Sequence, residues 1–290
     1  MTETSRRSIP FTKMEGAGND YVYINDLDGT IPNLSELAIE MSRPHFGVGS
    51  DGLIALQPSS EADFKMRMFN ADGSEGRMCG NGIRCLAAFA YENSLTDKTN
   101  LTIETLSGVK TVQLMMNSTD NIIAARVDMG KPILNTQLIP INTSATQWLN
   151  QDFVVNDETY QVTAVSMGNP HLVIYQEGID ELDLPEVGPF FENHPLFPEK
   201  MNTEFVEVIS PNEVRMRVWE RGSGETLACG TGACAVAVAS VLNGLTATKV
   251  VVHLKGGQLN IEWDRENTGN VFMEGAVRTI FTGEYFSQNS

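Results

Sequence analysis

Short runs of alternating or β-branched residues recur along the chain and predict strands at 22–24, 100–105, 109–114, 124–127, 172–175, 205–209, 250–254 and 259–263. Two segments break this pattern. Residues 83–91 and 233–241 are apolar on nearly every helical face, as expected of a helix enclosed by sheet rather than lying on a surface. The longest apolar stretch, 233–242 (ACAVAVASVL), is about half of the roughly 20 residues a membrane helix needs, so it predicts a buried helix and no membrane association.

The two helix-bearing regions are copies of one another. Residues 66–82 (MRMFNADGSEGRMCGNG) and 216–232 (MRVWERGSGETLACGTG) align without a gap at an offset of 150, with six of 17 positions identical. The same offset relates Gly18-Asn19 to Gly168-Asn169. Turn signals at 117–120 and 130–132 place the junction between the copies near residues 120 to 135. The expected architecture is α+β: two pseudo-symmetric domains of the same fold, each a curved, mostly antiparallel or mixed sheet around a central apolar helix, with the active site in the cleft between them. The domains are expected to span 1–125 and 126–274, with a final strand near 275–290 returning to the first.

Composition narrows the function. With 290 residues, 41% of them hydrophobic, the chain is neither disordered nor fibrous, and a net charge of −17 disfavours nucleic acid and anionic membranes as partners. The first ten residues contain no apolar run of a secretory leader, so a cytoplasmic location is expected. The four cysteines (79, 85, 229 and 234) are too sparse for a disulfide scaffold and lack the C-x-x-C spacing of a structural zinc site, so no metal is expected. GVGSDG at 47–52 imitates a dinucleotide loop without a strand-loop-helix unit around it.

Each copy runs Cys, Gly, Asn or Thr, Gly and then the apolar helix, which puts Cys79 and Cys229 at helix N-termini among unpaired N–H donors. A thiol there is expected to ionise more easily. Cys85 and Cys234 fall inside the helices as packing residues. The glycine-flanked thiols could form a redox pair, a nucleophile with its resolving partner, or an acid and a base. Only the last uses the symmetry, by addressing opposite faces of one carbon.

GAGND at 16–20, FNADGSEGRMCGNGIRC at 69–85, GNPH at 168–171 and ERGSGETLACGTGACA at 220–235 resemble the signatures of the diaminopimelate epimerase family. The resemblance implies cofactor-independent, two-base inversion at the α-carbon of an amino acid, LL-diaminopimelate giving the meso isomer for lysine and peptidoglycan synthesis. Cys79 and Cys229 match its catalytic positions. Asn19, Asn70, Gly80, Asn81, Asn169, Asn202, Glu220, Arg221, Gly230 and Thr231 match its substrate-contacting positions, and His171 and Glu220 match residues that tune the cysteines. Gly52 stands where some relatives carry Gln, so one substrate hydrogen bond is missing there or is taken by water. A racemase of the same fold acting on histidine or a proline derivative is the alternative, and a homodimer is a further implication. Glu75 and Glu225 could be ligands or structural caps, and Asn19 and Asn169 could be left-handed turn residues.

Overall fold

The computed structural model describes residues 8–287; the leader reading of the first ten residues lies largely outside them. Chain contacts fall into two units, one running to Val127 and resuming at Gly275, the other Asp128–Glu274. The first holds β1 (Ser8–Gly16), β2 (Asn19–Asn25), α1 (Leu34–Ser42), β3 (Gly52–Gln57), β4 (Phe64–Asn70), β5 (Glu75–Gly76), α2 (Gly80–Glu92), β6 (Asn100–Thr105), β7 (Gly108–Met116) and most of β8 (Ile122–Gly130). The second holds β9 (Gln151–Val155), β10 (Glu158–Ser166), β11 (Pro170–Tyr175), α3 (Leu184–Glu192), β12 (Asn202–Ser210), β13 (Glu213–Glu220), β14 (Gly224–Glu225), α4 (Gly230–Leu242), β15 (Lys249–Leu254), β16 (Gly257–Trp263) and most of β17 (Val271–Ala276). Then β18 (Arg278–Phe286) pairs antiparallel with β1, Ser8 opposite Phe286.

The offset of 150 holds in the pairing register. β2 runs parallel to β3 with Tyr21 beside Gly52, and β11 runs parallel to β12 with His171 beside Asn202. These two crossovers each carry a helix, the usual connection between parallel strands: α1 and α3, again 150 apart and the same length; the parallel pairs β4–β6 and β13–β15 are crossed by α2 and α4. The strand pattern predicts neither α1 nor α3. Each is only nine residues long, and α3 contains Pro189 and begins with a proline in its first turn, tolerated because that N–H has no helical acceptor. Asp183 caps α3 by accepting from the Glu186 N–H.

α2 and α4 are the central helices. α2 packs on β1, β2, β3 and β7 and buries Gly80 through Ala90; α4 packs on β10, β11, β12, β15 and β16 and buries all but Thr231 from Gly230 through Ser240. Their lack of a polar face follows from contact with sheet on several sides. In the second unit a further core of Trp148, Phe153, Phe191, Phe197 and Phe205 lies under α3, with Phe191 edge-on to Phe205 at 5.4 Å. No described helix is long and apolar enough to cross a membrane.

Candidate active site

Cys79 and Cys229 are the N-caps of α2 and α4. Both have extended backbone (φ −126°), and the sulfur of each accepts the N–H of the residue three places on, Gly82 at 3.3 Å and Gly232 at 3.4 Å. A cysteine in place of the usual Ser or Asp keeps the helix satisfied while holding a proton-carrying group at its positive end. The following N–H groups, of Gly80 and Asn81 or Gly230 and Thr231, precede the first helical hydrogen bond and form an anion cradle. The third residue of each cradle is closely covered: a Cβ on Gly82 would lie 2.6 Å from Ile54 Cδ1, and one on Gly232 2.7 Å from Glu204 Oε1, so those side-chain ends would have to shift.

In the first unit the Cys79 thiol donates to Asn19 Oδ1 at 3.2 Å, and the Asn19 amide donates to Asp51 at 2.7 Å. Asp51 also accepts the N–H of Asp20, so it holds the start of β2. Burial raises its carboxyl, against the hydrogen bonds from Asp20 and Asn19. Gly18 and Gly168 take the left-handed conformation (φ 78° and 102°), which leaves Asn19 and Asn169 free of that backbone duty and corrects the turn reading of the asparagines. Asn70 donates to Ser74 at 3.0 Å, and the Asn81 side chain is buried with its oxygen lacking a hydrogen-bond partner among the described residues. Gly52 is more than a missing ligand: a Cβ there would meet Phe69 O at 2.1 Å and the Tyr21 ring at 2.8 Å, so this backbone admits no side chain at that position.

The second unit surrounds its cysteine differently. Cys229 Sγ lies 3.5 Å from Thr231 Oγ1, and His171 and Glu204 each place a ligand-type atom within 4.8 Å of it. His171 and Glu204 are both fully buried; Nδ1 meets Glu204 Oε1 at 2.6 Å and Nε2 meets Asn169 Oδ1 at 3.1 Å. Burial raises the Glu204 carboxyl, with His171 opposing. The Cys229 thiol is also pushed up, by burial first and then by the charges of Glu220 and Glu204, against the hydrogen bonds from Thr231 and Gly232. This corrects the expectation of a readily ionised Cys229: the helix N-terminus is outweighed by desolvation and two carboxylates. Glu220 accepts from Thr226 at 2.5 Å.

Asn202, expected to touch substrate, is buried, donating to Pro170 O and accepting the Arg221 N–H at 2.9 Å each. It thereby orders the backbone of Arg221, whose guanidinium donates to Glu199 O at 2.7 Å. Glu75 and Glu225 are structural. Glu75 takes a two-pronged contact from Arg67 (2.7 and 3.0 Å), and Glu225 joins Arg217 and Lys255 (2.8 and 2.6 Å), bracing the turn ahead of each cysteine. Glu204 and Asp51 are the neighbours that the motifs do not reveal.

His171, Glu204 and Cys229 offer nitrogen, oxygen and sulfur donors, the set zinc prefers. Two ligands at zinc bond lengths stand about 3.3 Å apart in tetrahedral geometry. The 2.6 Å between His171 Nδ1 and Glu204 Oε1 is the spacing of a short hydrogen bond.

A family model described as diaminopimelate epimerase matches residues 11–135 and 163–280. The chain is 54% identical over 285 residues to a diaminopimelate epimerase of Desulfovibrio desulfuricans, covering 96% of this chain and 99% of that one. It is 50% identical over 276 residues to one of Methanococcus maripaludis, covering 95% and 99%. Among solved structures it is similar to a phenazine biosynthesis protein of the PhzF family from Bacillus anthracis (TM-score 0.68, 16% identity, 97% and 100% covered). It is also similar to a hydroxyproline epimerase from Agrobacterium vitis (TM-score 0.68, 13% identity, 97% and 91% covered). At such identities the two structures share the fold alone. Cysteine-capped helices of one design in two units of an α+β chain, with near-complete coverage by relatives at half identity, make this chain an isomerase belonging to the diaminopimelate epimerase family.

Proposed function

We propose that the chain converts LL-diaminopimelate to the meso isomer, with Cys79 and Cys229 exchanging protons at one α-carbon. The observation that supports this most is the matched capping, in which each thiol sits at a buried helix N-terminus with the next N–H groups beside it. One sulfur, as thiolate, takes the α-proton; the C–H electron pair spreads into the carboxylate, and the other sulfur delivers its proton to the opposite face. The thiol donor is left as thiolate, so the pair shares one proton and turns over in both directions. The difficulty is the weak acidity of the α-proton. Preorganised N–H donors of Gly80, Asn81, Gly230 and Thr231, with two helix dipoles, address it by stabilising the charge that develops on the carboxylate.

Asn19, Asn70, Asn169, Asn202, Glu220 and Arg221 are the side chains assigned to the rest of the substrate, and Asn202 also orders Arg221. His171 acts on Cys229. The reaction uses the chain's own thiols and supplies lysine and peptidoglycan synthesis in the cytoplasm, in a homodimer whose mass sedimentation would check.

The test is deuterium uptake from solvent into LL-diaminopimelate, followed by NMR of the α-proton. Exchange with appearance of the meso isomer is expected; exchange into proline or histidine but not diaminopimelate would move the substrate. Cys79→Ala and Cys229→Ala are each expected to abolish turnover in both directions, and near-normal activity in either would refute the two-base scheme.

A further inference from the structure

Ile54 on β3 and Glu204 on β12 hold the same place in the repeated scaffold and differ in kind. Each lies against the third residue of a cysteine-capped turn, Ile54 under Gly82 and Glu204 under Gly232. Around them, Tyr21 and His171 are matched in the same way by the parallel registers of β2–β3 and β11–β12. The floor beside Cys79 is therefore a methyl group, and the floor beside Cys229 is a carboxylate. Packing does not require that carboxylate, because an isoleucine serves in the sister unit. Burying it is costly, and only part of the cost is recovered: Oε1 meets His171, while Oε2 has no hydrogen-bond partner among the described residues.

We propose that Glu204 is a positioning residue for Cys229: it grips His171 by Nδ1, holds that ring beside the thiol, and places an acidic group where the matched position of the first unit has the methyl of Ile54. This rests on the reading that Cys229 is one of the two proton-exchanging groups. When ionised, the carboxylate favours a thiol that keeps its proton until the substrate carbanion forms, in agreement with the upward push on Cys229. The ring clamp keeps the imidazole from rotating away during that transfer.

Two variants separate the charge from the clamp. Glu204→Gln keeps the shape and an acceptor for Nδ1 but removes the charge; Glu204→Ile installs the residue of the sister unit and removes both. With steady-state kinetics on diaminopimelate, kcat is expected to fall about tenfold or more in Glu204→Gln and further in Glu204→Ile, with KM within about twofold. In the absence of substrate, the ratio of iodoacetamide labelling at Cys229 to that at Cys79, read by peptide mass spectrometry in one sample, is expected to rise about threefold or more in both. Folded variants with kcat and labelling ratio unchanged would overturn the proposal. So would a fall in kcat with an unchanged ratio and a lowered melting temperature, which marks a purely structural residue. If Glu204→Gln does not fold, Glu204→Ile carries the test alone. Because labelling needs no substrate, inactivity of the unaltered protein on diaminopimelate would refute the functional reading without touching the ratio.

Discussion

The paired braces ahead of the cysteines should differ in strength although they occupy matched positions. Glu225→Gln leaves the size of the side chain unchanged and removes its charge. Arg217, 7% exposed, then keeps its two backbone acceptors, Ile179 O at 2.6 Å and Leu182 O at 2.8 Å, but loses its counter-ion, and Lys255 loses its partner as well. Breaking a fully buried pair costs about 3–5 kcal/mol, and a lost hydrogen bond to a charged group about 1.5–3 kcal/mol. With two carbonyls and the amide oxygen remaining, about 2–3 kcal/mol is expected for Glu225→Gln. In Glu75→Gln the partners Arg67 and Glu75 are 33% and 31% exposed, so water and salt already screen the pair and the loss should stay below about 1 kcal/mol. At about 2–4 °C per kcal/mol for a unit of this size, Tm should fall by roughly 4–12 °C for the first variant and by less than about 4 °C for the second. Calorimetry on both proteins checks this. Equal shifts, or a larger one for Glu75→Gln, would refute the inference that burial sets the difference. Kinetics should follow the same order, because Glu225 braces the turn that carries Cys229.

The acid limb of stability should report the same pairs. The Arg67 hydrogen bond lowers the Glu75 carboxyl; burial pushes that of Glu225 up, but Arg217 and Lys255 outweigh it and the net shift is also down. A lowered folded pKa gives stability that is complete above the ordinary carboxylate value of 4.5 and is lost as pH falls below it, so the gap in urea midpoint between the unaltered protein and Glu225→Gln should shrink below that pH. A gap that stays constant would exclude the ion pair as its source. Gly52→Ala should destabilise by about 1–3 kcal/mol or more and raise KM, because its Cβ would meet Phe69 O at 2.1 Å and Asn70 Cα at 3.1 Å. Thermal unfolding and substrate saturation measure both effects, and an unchanged Tm would show that β3 and β4 can part at no cost.

The cysteine turns and their helices were legible because local chemistry specifies them: glycines on both sides of a thiol, then a run with no polar face. The crossover helices α1 and α3 were not, since nine residues carry barely two turns of periodicity and Pro189 interrupts the second. The offset of 150 relates these helices too, so either one, once recognised, implies the other. Glu204 was hidden for a different reason. In MNTEFVEVI it ends a polar run with Asn202 and Thr203, as a solvent-facing side chain would, and its partner His171 is 33 positions away. Only the parallel β11–β12 pairing brings the two together. Carrying the alignment back to Ile54 gives the one available clue, an acid where the sister strand has a methyl. Cys229 shows how a correct local rule can give the wrong sign, because burial and carboxylates from two other strands outweigh the helix end that the motif displays.

Duplication alone would produce two equal thiols, and equal thiols are poorly suited to the proposed exchange, in which one must hold a proton while the other lacks it. The backbone remains matched where the chemistry needs identical cradles: the same cap conformation, the same third-residue glycine, the same offset in strand register. The difference is confined to the floor and flank of each turn. Cys79 donates to the Asn19 amide above a hydrocarbon floor, whereas Cys229 borders an imidazole–carboxylate couple that Asn169 extends. The matched asparagines thus do different work from one position, Asn19 on the thiol itself and Asn169 on the ring beside it. A few substitutions on a matched pairing frame are enough to give two copies of one turn different surroundings without altering the helices that hold them.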